Sequence, residues 1–174
     1  MQPKICIIVP TYNNRNTVVN VVERLLPFAY PVIVVNDGST DDTESLINAL
    51  IESQTSSLIT FVSYKDNRGK GHALRSGFRK AIEMGFDYAV TIDSDGQHFA
   101  SDIEKFVSAL ETNPGALVIG SRGLDHDNMP GKNKFANNFS NFWFRVQTCR
   151  RLSDTQTGFR LYPLHNLHGL SLLT

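Results

Sequence analysis

A chain of 174 residues with 41% hydrophobic side chains can enclose one good core and is short for two, so a single domain over residues 1–174 is expected. Its 17 basic and 17 acidic residues cancel to a formal charge of zero, which excludes the broad field of a nucleic-acid or anionic-lipid binder and leaves any anion to be held by local groups. The two cysteines, Cys6 and Cys149, stand far apart with no CxxC pair and read as isolated thiols of a reducing compartment.

In chain order, Met1-Gln2-Pro3-Lys4 leads without a secretory leader into Ile5–Val9, the first of five short aliphatic blocks. The others are Val32–Val35, Leu58–Ser63, Tyr88–Ile92 and Ala116–Ile119. Nearly free of charge, such blocks are expected as parallel strands covered on both faces. Helical patterns fill residues 15–26, 41–52, 70–84 and 101–112. Asp41 with Glu44, and Ser101 with Glu104, have the spacing of capping boxes at two of these helix starts. The alternation predicts an α/β fold, a doubly wound, mostly parallel, Rossmann-like sheet with helices on both faces. No apolar run approaches the ~18 residues of a membrane span. Beyond Gly120 the regularity fails. Residues 125–134 are polar and contain Gly and Pro, the pattern of a mobile loop, and an aromatic-rich helix is expected over 134–150. The chain stops in apolar sequence at Leu172-Leu173-Thr174, which reads as a domain truncated at its C-terminal end.

In a doubly wound sheet, ligands sit outside the carboxyl ends of the strands where strand order reverses, so the strand tips hold the chemistry. The first tip, Pro10-Thr11-Tyr12-Asn13-Asn14, lacks GxGxxG and GxxxxGK[ST] but offers an aromatic ring able to stack on a base. The second ends in Asp37, whose carboxylate can accept from a base N–H or a ribose hydroxyl. The third leads to Gly69-Lys70-Gly71, where helix dipole, backbone N–H groups and an ammonium suit a phosphate, though a solvated turn has the same composition. The fourth delivers Asp93 and Asp95. Two neighbouring carboxylates raise each other's pKa unless a cation lies between them, and hard oxygen ligands in small number suit Mg²⁺ or Mn²⁺. Gln97 can add a carbonyl oxygen. The bland reading of the same stretch is a turn capped by aspartate.

Taken together, VPTYN (9–13), VVNDGSTDDT (34–43), NRGKGHALRSGF (67–78), TIDSDGQH (91–98), GSR (120–122) and DTQTGFRLY (154–162) resemble the ordered motifs of glycosyltransferase family 2, and more closely its dolichyl-phosphate mannose synthase-like branch. The resemblance implies a GT-A fold, a UDP- or GDP-hexose donor, a divalent Mg²⁺ or Mn²⁺ on the D-x-D motif, inversion at the anomeric carbon, and a polyprenyl phosphate acceptor. It implies that Pro10, Tyr12 and Asp37 hold base and ribose, that Val35 and Ser94 line the nucleotide pocket, and that Asp93, Asp95 and Gln97 hold the metal; Thr11 and Lys70 are expected among the nucleotide-sugar contacts, Lys70 near the phosphates. Arg122 and the basic residues of the following helix are then expected at the acceptor.

A phosphate monoester acceptor is already ionised at neutral pH and needs positioning cations, a role open to Lys132 and Lys134. An alcohol acceptor needs a general base, for which Asp154 is the candidate; it equally suits orienting a sugar hydroxyl or capping a turn. The alternatives are therefore a family 2 transferase acting on a sugar hydroxyl and a nucleotide-sugar binding module without turnover. A polyprenyl phosphate keeps its tail in the bilayer, so the expected place of work is the cytoplasmic membrane face, with the membrane contact supplied by C-terminal sequence. No nucleic-acid partner is expected.

Overall fold

The computed structural model describes residues 3–54, 57–120 and 157–167. Strand β1 (Ile5–Thr11) is followed by α1 (Val18–Leu25), β2 (Val32–Asp37), α2 (Thr43–Ser53), β3 (Ile59–Tyr64), α3 (Lys70–Glu83), β4 (Tyr88–Thr91), α4 (Ile103–Thr112), β5 (Val118–Ile119) and β6 (Arg160–Pro163). The strands form a six-stranded sheet in the order β3-β2-β1-β4-β6-β5. The first four are parallel, with Ile8 of β1 opposite both Ile33 of β2 and Thr91 of β4.

All residues of β1 and β2 are buried, which explains why these blocks read as continuous apolar runs: both faces of the sheet are covered. Ile5, Ile7 and Val9 face the layer of α1, α2 and α4, whereas Cys6 and Ile8 face α3. Helix α1 buries Val18, Val21, Val22 and Leu25, the i, i+3, i+4, i+7 stripe of an amphipathic helix docked by one face. Ile7, Ile8 and Ile33 are fully enclosed, each burial contributing about 1.5–3 kcal/mol of transfer free energy.

Three expectations are corrected. The fifth block shortens to Val118–Ile119, and it does not neighbour β4. Strand β6 lies between them, antiparallel to both, with Thr91 opposite Arg160 and Val118 opposite Leu161. Its four residues include Arg160 and Pro163, too short and mixed a segment to announce a strand; its ladder comes from residues far off in sequence. Both capping boxes also fail, for the same reason. The N-cap positions are Asp42 and Asp102, one residue later than the spacing assumes, with no side-chain cap bond at either. Asp41 instead accepts the N–H groups of Thr43 (3.0 Å) and Arg15 (3.3 Å), and Ser101 lies within a 3₁₀ turn, Ala100–Asp102.

The chain winds outward from β1 through β2 to β3 and then returns to place β4 on the other side of β1. Strand order therefore reverses between β1 and β4, and the crevice this opens at their carboxyl ends is where a ligand is sought.

Candidate active site

A cavity of about 320 Å³ occupies that crevice, lined by Pro10, Thr11, Tyr12, Asn14, Asp37, Asn67, Gly69, Lys70, Asp93, Ser94 and Asp95. Residues from the tips of four strands thus meet at one opening.

The loop after β1 is held by side chains of the loop after β2. Asn13 takes a left-handed φ of 51°, which an asparagine tolerates better than most residues. Its N–H donates to Ser39 Oγ (2.9 Å), and its Oδ1 accepts the N–H of Thr40 (2.8 Å). The N–H of Asn14 donates to Thr43 Oγ1 (3.1 Å), while its side-chain amide donates to Ser94 Oγ (2.7 Å). Ser94 is 3% exposed, and its carbonyl accepts from Thr17 Oγ1 (2.6 Å). The middle residue of D-x-D is thereby anchored between two elements, leaving the flanking aspartates at the mouth. Tyr12 stays 44% exposed, its ring at the rim. Thr11 is buried, and its Oγ1 has no hydrogen-bond partner among the described residues although the residue lines the cavity. A buried hydroxyl without a partner at a cavity wall fits a site that a polar ligand completes.

Asp37, 3% exposed, ends β2 with Oδ1 accepting the N–H of Arg68 (2.9 Å). The opposite strand places Tyr64 across from it. Burial, and then the Asp37 carboxylate, push the Tyr64 hydroxyl well above its ordinary pKa, although that hydroxyl lies beside the carboxylate without completing a hydrogen bond of good geometry. The Arg68 guanidinium sits 5.9 Å from the centre of the Tyr64 ring. Gly38, next in the chain, has φ +67°, and a Cβ there would stand 2.5 Å from the backbone nitrogen of Asn67. Only glycine lets the β2 tip lie this close to the loop before α3.

Strand β4 stops at Thr91, so Asp93 and Asp95 project from the turn that follows it rather than from an extended strand. They border the same cavity nonetheless. Lys70, the first residue of α3, brings its Nζ to 2.5 Å from Asp93 Oδ1. Asp95 Oδ1 accepts the N–H of Gln97 (3.0 Å). Behind Asp93 runs the Thr157–Phe159 segment that leads into β6. A Cβ at Gly158 would fall on the Asp93 carboxylate, and the Gly158 carbonyl is fixed by Thr91 Oγ1 at 2.7 Å.

Of the residues singled out in the sequence, Pro10, Thr11, Tyr12, Asp37, Lys70, Asp93, Ser94 and Asp95 are brought together here. Two are not. Val35 is fully buried in the core beneath α3 and does not reach the cavity lining. Gln97 borders a neighbouring cavity of about 560 Å³ with His98, Phe99, Phe106, Thr157 and Phe159. Arg122, Lys132, Lys134, Asp154, the 125–134 loop and the 134–150 helix lie outside the described residues. Sequence reasoning missed Asn14 and Asn67 as lining residues and Gly158 as the wall behind Asp93. The signal for Gly158 was present in the TGFR stretch, where a glycine precedes a strand start.

Among the described residues no group of three or more His, Cys, Asp or Glu side chains converges. The donor set at the mouth is therefore two carboxylates, hard ligands that leave most positions to water or a phosphate. This set fits Mg²⁺ or Mn²⁺. The ammonium drawn onto Asp93 shows that the position attracts a cation.

A doubly wound sheet whose switch-point crevice joins a buried strand-end aspartate, a lysine at a helix start and a D-x-D turn defines the GT-A class of nucleotide-sugar folds. Glucosyl-3-phosphoglycerate synthase from Mycobacterium tuberculosis, solved with Mn²⁺ and UDP-glucose, superimposes with a TM-score of 0.71 at 24% identity over 97% of this chain and 58% of its own. A mannosyltransferase from Pyrobaculum calidifontis, in complex with GDP-mannose and Mn²⁺, gives 0.61 at 27% identity over 74% of this chain and 38% of its own. In sequence, the chain is 32% identical to the UDP-N-acetylglucosamine–dolichyl-phosphate N-acetylglucosaminyltransferase of Methanococcus voltae, covering 96% of this chain and 72% of that protein. It is 30% identical to the undecaprenyl-phosphate mannosyltransferase of Micrococcus luteus, covering 97% and 70%. Residues 6–164 match glycosyl transferase family 2, and the chain belongs to that family. It spans 53% of another relative, a dolichyl-phosphate beta-glucosyltransferase of Dictyostelium discoideum.

Proposed function

We propose that this protein transfers a hexose from a UDP- or GDP-sugar to a polyprenyl phosphate, with inversion at the anomeric carbon. The observation that carries the donor half is the single cavity in which the tips of β1, β2 and β4 and the start of α3 meet. The acceptor half is supported by the relatives named above, which act on dolichyl and undecaprenyl phosphates.

In this reading Tyr12 stacks on the base and Asp37 accepts from its N–H or from ribose, with the Arg68 N–H bond holding the carboxylate in place. Asp93 and Asp95 would hold Mg²⁺ or Mn²⁺, which when bound supplies positive charge to the departing diphosphate. Lys70 adds a charge-assisted contact to the same phosphates, and the N-terminus of α3 contributes its dipole. These groups favour the transition state because they stand in place before negative charge develops on the leaving group. The acceptor phosphate needs no base, only cations such as Arg122, Lys132 and Lys134. Asp154 then orients the acceptor or a sugar hydroxyl. No helix among the described residues is long and apolar enough to cross a membrane. Work at the cytoplasmic membrane face is proposed from the chemistry of the acceptor, which stays in the bilayer.

The test is a thermal-shift panel of UDP, GDP and their hexose conjugates with and without Mn²⁺, followed by transfer of labelled hexose to a polyprenyl phosphate in vesicles. Stabilisation by one nucleotide only when Mn²⁺ is present is expected. Binding that is equal in EDTA would remove the metal from the reading, and transfer to a free sugar without lipid would replace the acceptor.

A further inference from the structure

We propose that Lys70 is the resident counter-ion of Asp93 and exchanges partners during substrate loading: it occupies the carboxylate while the site is free, gives it up to the divalent cation, and is thereby released to the donor diphosphate. This rests on the metal reading above and adds to it an order of events and a second role for the lysine.

The geometry around Asp93 is asymmetric. On one side Gly158 closes the slot so tightly that not even a Cβ fits between its Cα and the carboxylate. That wall is fixed, because Thr91 Oγ1 binds the Gly158 carbonyl at 2.7 Å, Gly120 N–H binds the Phe159 carbonyl at 2.9 Å, and Arg160 is laddered opposite Thr91. On the other side stands the Lys70 ammonium, 2.5 Å from Oδ1, on a side chain that is 55% exposed, while that of Asp93 is only 22% exposed. The Asp93 carboxylate cannot move toward that wall, and the lysine can swing away on its four-carbon stem.

An ammonium and a divalent ion sharing one carboxylate oxygen repel each other at contact distance. The cation that Asp93 and Asp95 receive must therefore displace Lys70 from Oδ1. Lys70 and Gly69 also line the cavity, at the amino end of a 14-residue helix, so the displaced ammonium needs only a rotation of its side chain to meet a diphosphate there. Arrival of the cation and readiness of the phosphate site become one event. The lysine then opposes cation binding in the nucleotide-free protein and favours nucleotide binding in the loaded one. A lysine that served phosphate alone would leave the first untouched, and one that merely steadied the fold would not act on the two with opposite signs.

The experiment uses the 174-residue chain with Lys70→Met and Lys70→Ala, both at a half-exposed position in a first helical turn. Free Mn²⁺ is followed by electron paramagnetic resonance in a titration without nucleotide, and UDP and GDP binding is measured calorimetrically at saturating Mn²⁺. Removing one partly exposed ion pair should tighten nucleotide-free Mn²⁺ binding roughly threefold, and losing a charged hydrogen bond should weaken the preferred nucleotide about tenfold. Mn²⁺ affinity unchanged or lowered in both variants overturns the exchange. An Asp93→Asn chain separates the two levels of the reasoning. If it loses Mn²⁺ binding while the lysine variants leave it unaltered, only the exchange falls; if it binds Mn²⁺ as well as the parent chain, the metal reading falls and the exchange with it.

Discussion

Replacing Gly158 by alanine tests the wall behind Asp93 without replacing any side chain proposed to meet a ligand. The added Cβ would land on the Asp93 carboxylate, so either the segment or the carboxylate must move. The segment is pinned at several points: Thr91 Oγ1 to the Gly158 carbonyl (2.7 Å), Arg160 Nε to the Thr157 carbonyl (2.9 Å), and Phe159 N–H to Thr157 Oγ1 (3.2 Å). The carboxylate is held by one flexible lysine. The carboxylate should therefore be the part that yields. Forcing one extra methyl into a packed site costs about 1–3 kcal/mol. Expressed at Asp93, that cost becomes a loss of roughly 5- to 140-fold in Mn²⁺ affinity, since 1.4 kcal/mol is a factor of ten. Expressed in the backbone instead, it would lower Tm by about 2–4 °C per kcal/mol for a chain of this size. Mn²⁺ titration and a thermal melt of Gly158→Ala distinguish the two. A large fall in Mn²⁺ affinity with a small change in Tm is expected. Parental affinity together with a parental Tm would show that the close approach does not exist and would refute the reasoning.

Asp37→Asn keeps an acceptor for the Arg68 N–H but loses the negative charge offered to a base or ribose; UDP or GDP binding should weaken about tenfold while inorganic pyrophosphate binds as before, and equal loss for pyrophosphate would mean that the loop rather than the nucleoside contact was disturbed. Cys6, buried beneath α3, has its thiol pushed from an ordinary 9.0 up to about 12 by burial. Below pH 9 both folded and unfolded chains keep this proton; above it the unfolded chain releases it first, so stability should fall as pH rises from 9 toward 12, by at most about 1.4 kcal/mol per pH unit. Urea unfolding across this range should show a shallower decline in Cys6→Ala, and an identical decline would remove the thiol as its source.

The sequence by itself determined the alternation of strands and helices, because that information is local. Unbroken aliphatic blocks such as Ile5–Val9 and Val32–Val35 mark strands covered on both faces, and the Val18, Val21, Val22, Leu25 stripe marks a docked helix. It also determined which strand tips border the crevice, since Asp37, Lys70, Asp93 and Asp95 each stand at or after such a block and the topology of a doubly wound sheet gathers those tips at one edge. Only the tertiary structure decided what depends on partners distant in the chain. Arg160–Pro163 becomes a strand because β4 and β5 supply its ladder, not because its residues prefer extension. Val35 turns inward because the pleat puts it on the face of Cys6, Ile8 and Ile33 under α3, a parity fixed by where the neighbouring helix packs. Asn14 becomes the anchor of Ser94, 80 residues away, and Gly158 the wall of Asp93. Neither role has a local signature, because it arises from close approach between segments that meet only once the sheet has formed.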